Sequence, residues 1–590
     1  MTLPQQEIPK GGSFLIQETE PSSVFTPEDF TEDQKLIAQT ARDFMNREAV
    51  PKLEQIESQN WEVILGLMRK AGELGLLSID IPEEYGGLGL DKTSSMLISE
   101  NMAKVGSFAV THGGHTGIGT LPIVYFGTEE QKKKYLPKFA TGEWISSYSL
   151  TEPDSGSDAL SIKTSATLSQ DGKTYLLNGS KSFLTNAGIA DVYITFAKID
   201  GEKMTGFIVE KGLSGIQLGK EEKKMGIKGS STRTVILENV SVPAENVLGE
   251  IGKGHKIAFN ILNMGRFKLG AGVIGGAKQV ITDAAQYAKQ RKQFQKAISE
   301  FGMIKEMLGE MGIRAFVGES MVYRTAGLID RIAQKSDGKN PQISLSGIEE
   351  YAIECSIIKV YATEILSYVT DQAVQIFGGY GFMEEYPVAR AYRDSRINRI
   401  FEGTNEINRL LMIGMLLKRG MEGKIPLLQA AQKAASELTE GSPPEESSDL
   451  FSHETWLLRN CKKLLLFAAS LAFQKYGTQL EEEEELIERL SNMLMEIYAM
   501  ESLILRVKKR LEKQKDKIEL YSALVNCFLN DTILRMEVLG KQVFAAVSEG
   551  DMLRIALTAL RKWLKHNPVN TIPLRRKIAD AIIESGVYCF

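Results

Sequence analysis

One carboxylate in the chain lies where a general base would be useful. The stretch 399–411, RIFEGTNEINRLL, places Glu402 between an aromatic residue and a glycine, just before an apolar helical pattern begins. A surface acid near a helix start is one interpretation, since a carboxylate interacts favourably with the partial positive charge there. The other is a general base at the mouth of a pocket, beside backbone that a substrate must approach closely. This stretch alone leaves both interpretations open.

A second polar stretch, YSLTEPDSGSDA at 148–159, has the composition of a ligand-binding loop. Acids, a proline and hydroxyl side chains surround Gly156 on what we predict to be a loop leaving a strand. Such a loop exposes backbone N–H groups and hydroxyls, which suits a polar ring system or an anion. A plain turn has a similar composition, so these residues by themselves do not decide between the two.

Composition argues against several classes of function. The formal net charge is −5, so the chain has no basic footprint for nucleic acid. The four cysteines form no CxxC pair and the five histidines no HExxH spacing, which argues against a disulfide framework and a bound metal. The N-terminus has no apolar segment of signal-peptide length, so we expect a cytoplasmic protein of bacterial type.

The candidate residues belong to a chain of several domains. Helical periodicity dominates at 31–144, short strand-like segments separated by turns follow at 145–250, and long helical patterns return at 251–420. We therefore predict a mainly α protein with a central β barrel or sandwich and a four-helix bundle. The other segments are an N-terminal extension at 1–30, a linker rich in Pro, Ser and acids at 421–449 and a C-terminal helical domain at 450–590.

Spaced motifs in a fixed order make the chain resemble the acyl-CoA dehydrogenases. The two stretches above are joined by KSFLTNAG at 181–188, KQRKQFQK at 289–296 and QIFGGYGFMEEYPVARAYRD at 375–394. The resemblance covers residues 30–420, and the further helical domain is similar to that of the very-long-chain branch. It implies an acyl-CoA dehydrogenase-like fold and a non-covalently bound FAD.

The resemblance assigns the chemistry to Glu402. It implies that this carboxylate removes the α-proton of a long-chain acyl-CoA while a β-hydride passes to FAD, giving a trans-2-enoyl-CoA. The backbone N–H of Glu402 and a flavin ribityl hydroxyl would stabilise the enolate oxygen. Some members carry the base at the position of Gly265 instead, and here no carboxylate competes from that position. Electrons would pass to an electron-transferring flavoprotein, as in fatty acid β-oxidation.

The same resemblance implies further site residues. The substrate-binding positions are Ser157, Arg266 and Gly403, with Gly113 and Gly114 where the acyl pocket closes. The cofactor-binding positions lie in several segments, one of which reaches the FAD of a neighbouring subunit, so at least a dimer is implied. They are Tyr148, Leu150, Thr151, Gly156, Ser157, Phe183, Thr185, Arg291, Phe294, Gln375, Gly378, Gly379, Thr404 and Glu406.

Two features allow alternatives. Gly113 and Gly114, in THGGHTGIG, leave space for a long acyl tunnel, or they are glycines that let helices pack closely. For the C-terminal domain, we favour the interpretation that it takes the place of the second dimer of tetrameric relatives, so that the protein is a homodimer. Alternatively, its segment CKKLLLFAASLAF, where Lys462 and Lys463 precede the apolar run 464–473, docks peripherally on the inner face of a membrane.

Three functional hypotheses compete at this stage. The first is a long-chain acyl-CoA dehydrogenase that passes electrons to an electron-transferring flavoprotein. The second is an acyl-CoA oxidase, which uses the same fold but lets dioxygen reach the reduced flavin. The third is a non-catalytic flavin-binding assembly or scaffold protein that kept the fold. The presence of Glu402, Arg266 and both flavin loops weighs against the third.

Overall fold

A computed structural model of the chain describes residues 8–336, 341–437 and 449–590. It begins with a helical domain in which short helices surround a core centred on Phe108, Met68 and Leu67. The helix starts follow the expected capping chemistry, as at Thr31 and Thr128, whose side chains each accept a backbone N–H three residues later. The helices are α1 (Glu32–Phe44), α2 (Leu53–Glu57), α3 (Trp61–Glu73), α4 (Lys92–Met102), α5 (Gly106–Gly113), α6 (Leu121–Phe126) and α7 (Glu129–Thr141).

The central domain contains an eight-stranded sheet in the region where the strand-like segments predict a β barrel or sandwich. Its strands are β1 (Ser146–Ser149), β2 (Ser165–Leu168), β3 (Thr174–Thr185), β4 (Val192–Ile199), β5 (Lys203–Glu210), β6 (Ile216–Leu218), β7 (Thr232–Pro243) and β8 (Val247–Leu248). The order is β6-β7-β3-β2-β4-β5-β8, with β1 beside β4. The β1–β4 and β2–β4 pairs are parallel and the others antiparallel. The ends of β1 and β3 carry the residues predicted to hold a flavin.

A bundle of long helices follows the sheet and confirms the predicted four-helix domain. The long helices α8, α9, α11 and α13 pack around apolar side chains such as Phe267, Ile274 and Ile358. A two-stranded hairpin links α8 to α9. The elements are α8 (Gly254–Gln290), β9 (Lys292–Gln293), β10 (Lys296–Ala297), α9 (Gly302–Ala333), α10 (Pro341–Glu350), α11 (Ala352–Phe377), α12 (Pro387–Ser395) and α13 (Asn405–Met421).

The C-terminal helical domain packs against the bundle, not away from it. Its helices are α14 (Leu427–Ser436), α15 (Ser452–Tyr476), α16 (Glu484–Lys513), α17 (Ile518–Val547), α18 (Gly550–Trp563) and α19 (Thr571–Ser585). Buried charges join α16 to α9, since Arg506 Nη1 donates to Glu319 at 2.7 Å and Arg324 Nη2 donates to Glu501 at 2.6 Å. Such buried pairs tie the two domains together because separating them would leave charges unpaired.

The apolar run that could have faced a membrane lies inside this domain. Leu464 to Ala468, Leu471 and Ala472 are buried, Lys462 donates to Glu501, and Lys463 pairs with Glu437. The membrane-docking interpretation of this segment is therefore corrected, because most of its apolar residues pack in the core of the C-terminal domain. No helix among the described residues is long and apolar enough to cross a membrane.

The ends of the predicted domains hold more structure than their composition indicates. In the N-terminal extension, Phe14 is buried and the N–H groups of Gly11 and Gly12 donate to Glu350 and Glu354 of the bundle at 2.8 and 2.7 Å. The predicted linker at 421–449 contains α14, and its residues 438–448 lie outside the described part of the chain.

Candidate active site

The loop that carries Glu402 ends at the start of α13. Thr404 is the residue before the helix, and its hydroxyl accepts the N–H of Ile407 at 3.2 Å. Glu406 lies in the first turn and is exposed, and its carboxylate interacts favourably with the helix dipole. The capping acid is thus Glu406, and Glu402 lies in the preceding turn, where its carboxylate is available for another task.

Side chains from three helices hold the backbone of this turn. The φ angle of Glu402 is 57° and that of Gly403 is 79°, so two consecutive residues adopt the left-handed conformation. Glycine does so without strain, whereas for glutamate the conformation is costly and must be held by its surroundings. Arg266 Nε donates to the Glu402 carbonyl at 3.1 Å, and Asn408 Nδ2 donates to the Gly403 carbonyl at 2.9 Å.

Lys359 on α11 is a third support, and no motif in the sequence indicates it. Its side chain is fully buried, and Nζ donates to the Gly403 carbonyl at 2.7 Å and to Asn405 Oδ1 at 2.8 Å. Burial lowers the pKa of Lys359 to about 7, although the Glu402 carboxylate opposes this. A lysine inside the apolar helical segment CSIIKVYA (355–362) is the signal that could have revealed it.

The carboxyl group of Glu402 faces a cavity and is poorly solvated. Oε2 is buried and has no hydrogen-bond partner among the described residues. Burial raises the pKa of Glu402 to about 7, opposed by the nearby cations Arg266 and Lys359. A Cβ added at Gly265 of α8 would lie 2.4 Å from Oε2, so the carboxyl rests against bare backbone. A carboxylate in this state is well suited to accept a proton near neutral pH.

The cavity is a tunnel of about 230 Å³ that follows one face of α8. Its wall on that helix runs from Gly265 through Gly272 and Gly276 to Asp283, a length of about 27 Å at the α-helical rise. The opposite wall comes from α4, α5 and α12. Lys268 also lines it, and its Nζ is tied to Asp80 at 2.7 Å, so its methylene groups face the space.

The two glycines predicted to shape the acyl pocket differ from each other. Both line the tunnel, and a Cβ added at Gly113 would have no atom within 4 Å. At Gly114 the added Cβ would lie 3.1 Å from Thr185 Cγ2 and 3.3 Å from Asn186 Nδ2. Gly113 therefore leaves open space, as the first alternative predicts, whereas Gly114 packs closely against the end of β3 and not against another helix.

The end of β1 and the loop after it lie near Glu402. Tyr148 is buried, its hydroxyl has no partner among the described residues, and burial together with the Glu402 charge raises its pKa well above the usual value. Leu150 is buried, and the Thr151 carbonyl accepts the N–H of Ser182 at 2.9 Å. Further along, Gly156 and Ser157 are exposed and lie outside the described tunnel lining.

A buried ion pair that joins two of the quoted motifs supports this loop. Lys181 of β3 is fully buried, and Nζ donates to Glu152 Oε1 at 2.7 Å and to the Leu150 carbonyl at 3.1 Å. Glu152 also accepts the N–H of Thr164 at 3.1 Å. Glu152 therefore has a structural role, because it fixes the loop to the sheet.

The end of β3 presents an aromatic ring outward. The pairing of β3 with β7 is irregular between Lys181 and Leu184, and Phe183 within this irregularity has a φ of 58° and is 67% exposed. A bulge re-aims a side chain in this way. Thr185, two residues on, lines the tunnel. The structure therefore brings Tyr148, Thr185 and Glu402 together, with Phe183 at the edge.

Five of the predicted cofactor residues, namely Arg291, Phe294, Gln375, Gly378 and Gly379, lie apart from this group. Arg291 follows α8, about 39 Å along the helix from Gly265. With Gly378 and Gly379 it lines a separate cleft of about 480 Å³. Phe294 is 89% exposed, and Gln375 is exposed as well. Within one chain these residues form a second cluster that does not meet the first.

Lys359→Met tests whether Lys359 supports Glu402, the candidate base. The substitution removes one of the two cations that lower the pKa of Glu402, so the acid limb of the kcat/KM pH profile should move to higher pH. It also removes one of the two side-chain donors to the Gly403 carbonyl, which leaves Asn408 as the other. Activity at pH 7 should fall by roughly tenfold to a hundredfold. Lys462→Met, which also removes a buried lysine, is the matched control. An acid limb that moves equally in both variants, or in neither, would remove Lys359 from this role.

Comparison with known families assigns the domains independently of the site geometry. Family models described as acyl-CoA dehydrogenase N-terminal, middle and C-terminal domains match residues 31–143, 147–240 and 252–417. A further model, also described as an acyl-CoA dehydrogenase C-terminal domain, matches residues 460–562. These ranges follow the helical, β, bundle and C-terminal domains of the structure.

Individual relatives match across the same domains. A probable acyl-CoA dehydrogenase of Bacillus subtilis (strain 168) is 49% identical over 590 residues, which is 99% of each chain. The human very long-chain specific mitochondrial acyl-CoA dehydrogenase is 43% identical over 371 residues, 61% of this chain and 53% of that protein. The crystal structure of a Bacillus anthracis acyl-CoA dehydrogenase complexed with FAD has a TM-score of 0.97 at 50% identity, covering 99% of this chain and 100% of that one. The chain therefore belongs to the acyl-CoA dehydrogenase family.

Proposed function

We propose that the protein binds FAD and oxidises long-chain acyl-CoA thioesters between the α and β carbons, giving trans-2-enoyl-CoA. The observation that carries this proposal is the Glu402 carboxyl, which has a pKa of about 7 and an unpartnered oxygen beside a long tunnel. An α-hydrogen of a thioester is a weak acid, so its base needs a raised proton affinity in a dry site.

Residues of both clusters fit an FAD, the isoalloxazine ring near Glu402 and the diphosphate near Arg291 of a neighbouring subunit. The Tyr148 hydroxyl is buried without a partner, the 150–157 loop exposes backbone at Gly156, and Phe183 offers an aromatic face. The exposed guanidinium of Arg291 suits a diphosphate better than a lysine would, because its planar fork makes two hydrogen bonds. When bound, FAD supplies the acceptor for the β-hydrogen and its electron pair.

Each residue around the base has a distinct task in this scheme. Glu402 takes the α-proton on its carboxylate. Its backbone N–H donates no hydrogen bond to the described residues, so it is free to donate to the thioester oxygen as negative charge develops there, which is worth about 3 kcal/mol. Arg266 and Lys359 keep this N–H oriented through the two carbonyls that they bind. Gly403 leaves the approach open because it has no side chain.

Tunnel length supports a long acyl chain. Carbon–carbon bonds of about 1.52 Å at about 111° advance an extended chain by about 1.25 Å per carbon. The tunnel wall of about 27 Å along α8 therefore suits a chain of about 22 carbons. Gly265, Gly272 and Gly276 have no side chains, so an acyl chain can lie close to the helix backbone on this face. A long, apolar substrate is the class that such a shape favours.

Gly276→Leu should shorten the accepted chain. Position 276 lies about 16 Å along α8 from Gly265, which corresponds to about 13 carbons. Leucine there should lower kcat/KM for palmitoyl-CoA by roughly a hundredfold while octanoyl-CoA changes by less than about threefold. Gly414→Leu on α13, where an added Cβ meets no atom within 4 Å, is the control. Equal losses with both substrates would mean that acyl chains do not follow this path.

A dimer and an external electron acceptor complete the proposal. The exposure of Phe294 and Gln375, and their distance from the Glu402 group, support a cofactor site completed by a second copy of the chain, in line with the homodimer favoured above. We propose an electron-transferring flavoprotein as the acceptor. An acyl-CoA oxidase would differ in one measurable way, since its reduced flavin would be reoxidised rapidly by dioxygen.

An anaerobic titration of the purified protein with palmitoyl-CoA, followed by the visible absorbance of the flavin, tests the function. Bleaching at about one equivalent per subunit is the expected result. Admission of air then distinguishes an acyl-CoA dehydrogenase from an acyl-CoA oxidase. Slow recovery of the flavin absorbance in the absence of an electron-transferring flavoprotein supports the dehydrogenase. A flavoprotein that no acyl-CoA bleaches would instead support the scaffold hypothesis.

A further inference from the structure

The far end of the tunnel carries a group of charged and polar side chains. Lys104, just after α4, Gln279 and Asp283 on α8 and Arg390 on α12 all line it and are half-buried. We call these four residues the distal cluster. Gln279 and Asp283 lie about 21 and 27 Å along α8 from Gly265, and the charges of Lys104 and Arg390 both act on Asp283. A chain of about 17 to 22 carbons starting at the base therefore reaches this cluster. A tunnel serving only methyl-ended chains has no use for charges there.

The distal cluster contains two cationic groups, those of Lys104 and Arg390. Among the described residues, Arg390 makes no hydrogen bond and no ion pair. Lys104 Nζ donates to Asn46 at 2.8 Å, and Gln279 Nε2 donates to Asp283 Oδ1 at 2.8 Å. The pKa of Asp283 is raised by burial, opposed by Lys104 and Arg390. A half-buried guanidinium without a partner is costly to desolvate further unless an anion joins it.

Another acid on the tunnel wall is already engaged. Asp394 lies one turn beyond Arg390 on α12, and its Oδ1 accepts the N–H of Ile227. Its carboxylate therefore stabilises the 227–230 turn. The Arg390 charge acts on this carboxylate through space and opposes the rise in its pKa that burial causes, but no hydrogen bond or ion pair joins the two side chains among the described residues. Arg393, on the same helix, pairs with Glu384 at 3.4 Å and lies outside the tunnel lining among the described residues.

We propose that the tunnel accepts acyl-CoAs whose far end carries a carboxylate, that is, monothioesters of long-chain dicarboxylic acids. Arg390 would bind this carboxylate in a bidentate manner, with Lys104 as a second cation, because a guanidinium matches the geometry of a carboxylate. The far end does not react, and the oxidation at the α and β carbons is unchanged. The inference rests on the proposed function and adds a substrate class to it.

A length series with the FAD-loaded enzyme tests the proposal. The kcat/KM of CoA monothioesters of dicarboxylic acids of 8 to 20 carbons is divided by that of the monocarboxylic thioester of equal length. Short dicarboxylic chains place a bare carboxylate in the apolar section, so the ratio should be low there. It should rise by at least about tenfold between 10 and 18 carbons, where the carboxylate gains charged hydrogen bonds.

Arg390→Met should remove that rise, lowering the ratio at 18 carbons by about tenfold. Arg393→Met, one turn away, is the matched control and should leave the ratio as in the wild type. Because the wild-type series needs no variant, the test does not depend on the folding of either. A ratio that stays low and flat while palmitoyl-CoA is oxidised would overturn the dicarboxylate inference alone. Failure with every thioester would instead overturn the proposed function.

Discussion

Glu402→Gln is expected to lose acyl-CoA oxidation almost entirely while retaining the flavin. The amide has the same shape as the carboxyl group but cannot accept the α-proton, and a positioned general base contributes about 10²- to 10⁴-fold. The measurement is stopped-flow bleaching of the flavin under anaerobic conditions with palmitoyl-CoA, in preparations with equal flavin content. Because the loop backbone is held through its carbonyls by Arg266 and Lys359, the variant should keep its thermal stability.

The wild-type pH profile provides a second readout of the same base. The pKa of Glu402 is raised to about 7, so the group is protonated and inactive below that value and becomes a competent base above it. The kcat/KM should therefore fall as pH is lowered through about 7, and Glu402→Gln should show no such limb. A variant that still bleaches at the wild-type rate would show that another residue removes the proton.

Gly265→Ala is expected to disable the enzyme without touching any polar group. The new methyl carbon would lie 2.4 Å from Glu402 Oε2 and 2.8 Å from its Cδ, distances that real Cβ contacts do not reach. The carboxyl must therefore move away from α8. Since a displacement of about 1 Å at a reacting group costs roughly a hundredfold in rate, we expect a loss of that order in the bleaching rate.

Gly276→Ala is the matched control for this substitution. It makes the same change on the same face of α8, but its added Cβ would meet Leu366 Cδ1 at 3.5 Å, an ordinary contact. Any gain in helix propensity is shared by both variants. The bleaching rate with octanoyl-CoA should therefore stay near the wild-type value in Gly276→Ala alone. Similar rates in the two variants would mean that the carboxyl does not rest against Gly265 when substrate binds.

Local patterns predicted the order of domains and the elements that carry the chemistry. Helical and strand periodicity indicate which face of each element is buried, and the apolar residues that form this pattern lie within one contiguous segment. The same holds for the turn before α13, because the glycine after Glu402 and the capping residue Thr404 are adjacent in the chain. The apolar run in α15 shows the limit of such patterns: a buried helix and a membrane-docking helix share one composition.

The sequence by itself determined which family the chain resembles, which carboxylate is the candidate base and which loops are candidates for the flavin, since each is a short motif. Only the tertiary structure decided how the base is held and how long the tunnel is. The Arg266–Glu402 bond spans 136 residues and the Lys359–Gly403 bond spans 44. The pKa of Glu402 and the reach of the tunnel depend on burial by such distant partners, and burial arises only when the helices pack.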